Sequence, residues 1–83
     1  MVKTYIKKPI VTAIRYTKEN YGECIDFCRE RFVARLEDTI LIDTVEGQQN
    51  VELGDYIVKG VNGEIYSCKP YVFNVAFEEV KSV

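Results

Sequence analysis

An 83-residue chain with 47% hydrophobic and 29% charged residues and few glycines or prolines has the composition of one folded domain, residues 1–83, and excludes a disordered tail. Its net charge of −2, without a Lys/Arg cluster, argues against nucleic acid, whose nonspecific affinity comes from phosphate neutralisation. The absence of histidine removes the usual general base and the commonest metal ligand.

A chain this short buries only roughly 60–65% of the surface its unfolded form exposes, which makes a homo-oligomer a natural route to stability. The charge is unevenly spread. Residues 1–35 carry eight Lys/Arg against four Asp/Glu, and residues 36–83 carry three against nine. No charged segment followed by an apolar one opens the chain, and no apolar run nears the ~18 residues of a membrane span. A cytoplasmic location and no membrane partner are therefore expected. Three cysteines, none in Cys-x-x-Cys spacing, read as free thiols.

After a basic opening, Lys3–Lys8, the β-branched run Ile10–Tyr16 reads as a strand, with Pro9 at its first position or on an edge. Alternation places Ile10, Thr12, Ile14 and Tyr16 on one face and Val11, Ala13 and Arg15 on the other. A helix is expected from Tyr21 to about Arg31, capped by Asn20 with Glu23 reaching back to the cap's own N–H. Tyr21, Cys24, Ile25, Cys28 and Phe32 form its buried stripe. Period-two patterning then predicts strands at 32–36, 39–45 and 49–53, with turns at Glu37-Asp38, Glu46-Gly47 and Gly54-Asp55.

Residues 54–70 read Gly-Asp-Tyr-Ile-Val-Lys-Gly-Val-Asn-Gly-Glu-Ile-Tyr-Ser-Cys-Lys-Pro, two apolar-rich runs around Asn62-Gly63, the strongest short-range hairpin signal. A two-residue turn there sets Lys59 opposite Tyr66, Ile57 opposite Cys68 and Tyr56 opposite Lys69. The tail after Pro70 reads as one helical turn and a closing strand in preference to a short helix. The sum is an α+β fold: one helix packed on a curved or partly closed antiparallel sheet of about five to six short strands.

No catalytic constellation emerges. Cys68 and Lys69 are adjacent strand residues and point to opposite faces, so the lysine does not activate the thiol. Cys24 and Cys28, one helical turn apart, lack the further ligands a structural zinc site needs, and core packing is the simpler role. No metal, cofactor or catalytic residue is expected. The aromatics are more informative: six Tyr and four Phe exceed what one small core requires. Arg15, Tyr16, Tyr66, Lys69, Tyr71 and Phe73, with Lys59, are candidates for a cationic-aromatic ligand surface; the plainer reading is that these rings cap the edges of the core and that Lys59–Tyr66 is an ordinary cross-strand pair.

The block 54–70, with Phe73 and Phe77, resembles a family of short proteins encoded by phages and prophages of Gram-positive bacteria, as do Lys7–Tyr16 and Asp26-Phe27-Cys28. Where that family often has Trp and an acidic residue, this chain has Tyr16 and Tyr71. The resemblance implies provenance, a phage accessory in the host cytosol, more than an activity. The resulting expectation is a non-enzymatic binding module that modulates a host component, in one version by sequestering a nucleotide defence signal. Lys59 or Lys69 and Arg15 would take its phosphates, and Tyr66 or Tyr16 would stack on its base. The alternative is a protein-interaction or structural accessory with no small-molecule ligand.

Overall fold

The computed structural model of the chain describes residues 1–4 and 10–80. The expectation for Pro9, and most of the basic opening, lies outside them. Six strands and two α-helices follow in the order β1 (Thr12–Arg15), α1 (Tyr21–Cys28), a 3₁₀ turn (Arg29–Arg31), β2 (Phe32–Leu36), β3 (Thr39–Thr44), β4 (Gly47–Val51), β5 (Tyr56–Lys59), β6 (Ile65–Cys68) and α2 (Pro70–Ala76).

The α+β class and strand number match the sequence reading, but the single sheet does not form. The strands make two three-stranded antiparallel sheets, sheet A in the order β1-β5-β6 and sheet B in the order β2-β3-β4, and neither closes into a barrel. The break falls between β4 and β5. Gly54, at φ 93°, turns the chain there, and its N–H donates to the Tyr16 carbonyl while the Tyr16 N–H donates to the Asp55 carbonyl, both at 2.8 Å. The end of β1 thus captures the incoming chain, and β5 pairs with β1 instead of β4. What joins the sheets at β4 and β6 is a side chain: Gln49 Oε1 accepts from the Ser67 N–H at 2.9 Å and from its hydroxyl at 3.1 Å.

Between the sheets lies the core. Tyr16, Ile57 and Ile65 from the sheet A side meet Ile40, Ile42 and Val51 from sheet B and Cys24 and Cys28 from α1, with Ile14, Tyr21, Phe27 and Phe32 packed around them. The β1 alternation holds, since Ile14 and Tyr16 point inward while Ala13 and Arg15 lie on the outer face of sheet A. Helix α1 is shorter than expected, because Arg29 adopts φ 54° and the chain continues as the 3₁₀ turn. Asn20 does not cap the helix with its side chain. Its amide instead donates to the Arg15 carbonyl at 2.6 Å, and its Oδ1 accepts from the Thr17 N–H at 2.8 Å, fixing the β1–α1 connection.

The β5–β6 hairpin is displaced by one residue from the two-residue turn. Lys59 opposes Ile65, Val58 opposes Tyr66, Ile57 opposes Ser67 and Tyr56 opposes Cys68. Asn62 does not take the positive φ that a type I′ turn needs, whereas Gly63 does, at 84°. The Gly63 N–H donates to the Gly60 carbonyl at 3.0 Å and the Gly60 N–H to the Glu64 carbonyl at 2.9 Å, the bonding of a three-residue loop with a left-handed glycine after the turn. A one-residue shift exchanges the faces of an entire strand. Ile65 therefore points into the core beside Ile57, and Tyr66 and Cys68 lie on the outer face with Tyr56 and Val58.

The tail is a helix followed by an irregular segment, not a turn and a closing strand. Pro70 occupies the first helical turn, where its fixed φ is favourable and its missing N–H costs nothing, and Lys69 precedes it at ψ 147°.

Candidate functional site: the outer face of sheet A

Helix α2 contributes no buried residue, so its seven residues are too few to be stable without an anchor. Phe73 and Phe77, four apart, supply one. Phe73 stacks on Tyr56 with ring centroids 3.8 Å apart and planes 6° from parallel, and Phe77 leans on Phe73 at 4.9 Å. Arg15 closes the other side, its guanidinium 5.7 Å from the Tyr56 centroid and its Nε donating to the Gly54 carbonyl at 3.0 Å. Beside this row opens a groove of about 570 Å³, walled by β1 and its approach (Ile10, Val11, Ala13), by α2 and by the tail through Val80. Among the described residues, the only charged groups lining it are Glu78 and Glu79. The outer ridge of α2 remains apolar and exposed, Val75 at 89% and Val72 and Tyr71 with it.

The hinge of α2 is fixed by a buried acid. Asp55, 3% exposed, accepts from the Glu52 N–H at 2.9 Å and from Lys69 Nζ at 2.9 Å through the same Oδ2. That bond to Asp55 raises the Lys69 pKa above its ordinary 10.5. The Gly54-Asp55 and Lys69-Pro70 ends of the hairpin stretch are thereby tied to one another, and their role is architectural.

The candidate residues do not form one surface. Arg15 and Phe73 come together around Tyr56. Tyr66 shares their face of the sheet on β6, with its hydroxyl pKa raised by burial. Tyr71 lies exposed at the start of α2. Tyr16 is 1% exposed in the core, burial raising its pKa, and so presents no ring to the surface. Lys69 is engaged by Asp55, and Lys59 sits on the inward-pointing side of β5 with its ammonium 4.4 Å from the Phe27 ring. Tyr56 and Phe77 complete the surface and are not among the residues that the sequence singles out. The Phe73/Phe77 spacing after a helix-starting proline was the available signal for the second of them.

The three thiols are free and buried. Burial pushes Cys24 and Cys28 up to about 11 and also raises Cys68, the opposite of what a nucleophile needs. Among the described residues no group of three or more Cys, Asp or Glu could hold a metal ion, and no helix is long and apolar enough to cross a membrane. Comparisons of the chain with protein-family models, with curated proteins and with solved structures found no match.

Proposed function

We propose that the protein is a non-enzymatic binding module, a phage accessory acting in the host cytosol, and that it works by protein contact through the outer face of sheet A and α2. The observation that carries this reading is the groove itself: an aromatic floor, an exposed apolar helix beside it and, among the described residues, a lining charged only at Glu78 and Glu79. Carboxylates repel the phosphates of a nucleotide, and of the three cations that would have held them only Arg15 lies on this face, Lys69 being held by Asp55 and Lys59 lying against Phe27. Apolar centres with charged rims are instead the anatomy of protein interfaces. The likeness of residues 54–70 to the phage family supports the setting, and the absence of histidine and the raised thiol pKa values support a non-catalytic role.

The test is native mass spectrometry of the chain isolated from infected cells, beside calorimetry against a panel of cyclic nucleotides and ADP-ribose derivatives. A stoichiometric protein partner that Val75→Glu releases, and a silent panel, are expected. A retained nucleotide, or a partner indifferent to Val75→Glu, overturns the reading.

A further inference from the structure

We infer that the partner docking on this face is a second copy of the chain, forming a symmetric dimer in which the β1 edges and the two α2 ridges meet. The inference rests on the reading of the outer face of sheet A as a protein-docking surface, and three observations lead beyond that reading to this occupant.

The first is exposed apolar surface. Ile10 and Val80 line the groove, and Tyr71, Val72 and Val75 stand exposed on α2 beside it. Contiguous apolar area of this kind marks a contact surface.

The second is the open edge. Among the described residues no strand pairs with the outer side of β1, whose stretch Thr-Ala-Ile-Arg carries one charge and no proline. An edge of this kind is a template for pairing, and antiparallel pairing of an edge with its own copy satisfies a two-fold axis. Because Ile10, Val11 and Ala13 wall the groove, that axis joins the two grooves into one apolar floor and brings the α2 helices to the same side.

The third is charge. Arg15 lies on this face next to Tyr56, Glu78 and Glu79 line the groove, and none of the three takes part in an ion pair among the described residues. A surface holding both signs around an apolar centre is complementary to its own rotated copy, whereas a single-signed rim would repel it.

Sedimentation equilibrium and light scattering from micromolar to sub-millimolar chain decide the matter. The wild type is expected at twice the chain mass. Val75→Glu, which buries a carboxylate at the interface, weakens association by about tenfold or more while circular dichroism stays native. Leu36→Glu, on the exposed side of sheet B, leaves the dimer intact. Arg15→Glu weakens it, and adding Glu78→Arg and Glu79→Arg restores it. A monomer at every concentration, or a dimer sensitive to Leu36→Glu and not to Val75→Glu, overturns the inference. A monomer that binds a different protein through Val75 overturns the dimer alone and leaves the docking reading standing, whereas a bound nucleotide overturns both.

Discussion

Replacing Asp55 by alanine should cost more stability than any other surface-proximal change in the chain. Its carboxylate is 3% exposed, and Oδ2 alone accepts both the Glu52 N–H and Lys69 Nζ. Bonds to a charged acceptor contribute about 1.5–3 kcal/mol, and their removal strands the Glu52 donor in a partly buried corner. Lys69 is half exposed, so solvent screens most of its coulombic share. The expected loss is therefore about 2–3 kcal/mol, which in a domain of this size lowers Tm by about 10–20 °C. Urea unfolding followed by far-ultraviolet circular dichroism measures it. The m-value should not change, because the same surface is exposed on unfolding. Asp55→Asn, which keeps an acceptor for Glu52, should recover part of the loss. A fall of only a few degrees for Asp55→Ala would refute the assignment of the β4–β5 corner and the α2 hinge to this one carboxylate.

Phe73→Ala removes a stack worth about 0.5–1.5 kcal/mol and should free α2 without unfolding the sheets, since none of the residues of α2 is itself buried. Hydrogen exchange would show it as faster exchange at the Phe77 amide, with Tm nearly unchanged. Stability should decline as pH rises from 9 to 11. Unfolded thiols ionise from 9.0, while buried Cys24 and Cys28 keep their protons to about 11, so the unfolded state binds fewer protons across that window. The Cys24→Ala and Cys28→Ala variants should show a shallower decline in pH-dependent urea melts. At the hairpin, Gly63→Ala should cost about 1 kcal/mol while Asn62→Ala costs little, as only Gly63 has positive φ; equal losses would restore the two-residue turn. Glu37→Gly should raise stability by about 0.5–1 kcal/mol by relieving φ 56° in the β2–β3 turn, measured by thermal melts.

Much of the site was legible by type but not by membership. The surplus of aromatics near cations pointed to a surface, and Arg15 and Phe73 belong to it. Tyr16 does not, because alternation gives the face of a strand residue but not which face the core will cover. Along the sequence Lys69 looks like an available cation, because its partner, Asp55, lies 14 residues away and meets it only after the corner at Gly54 has formed.

Local patterning was enough for most elements: β-branched alternation marked a strand over 10–16, of which 12–15 forms, and the three–four spacing of Tyr21, Cys24, Ile25 and Cys28 marked α1, whereas the helix after Pro70 was not separated from a turn and a closing strand. These signals act over a few residues, through backbone sterics and one-sided burial, and so survive without tertiary context. Which strands pair, and by what register, was decided elsewhere. Tyr16 and Gly54 exchange a hydrogen bond across 38 positions and divert β5 to β1, and a three-residue loop in place of a two-residue one moves Ile65 inward and Tyr66 outward. Such choices weigh long-range burial against loop closure, a balance no window along the sequence contains.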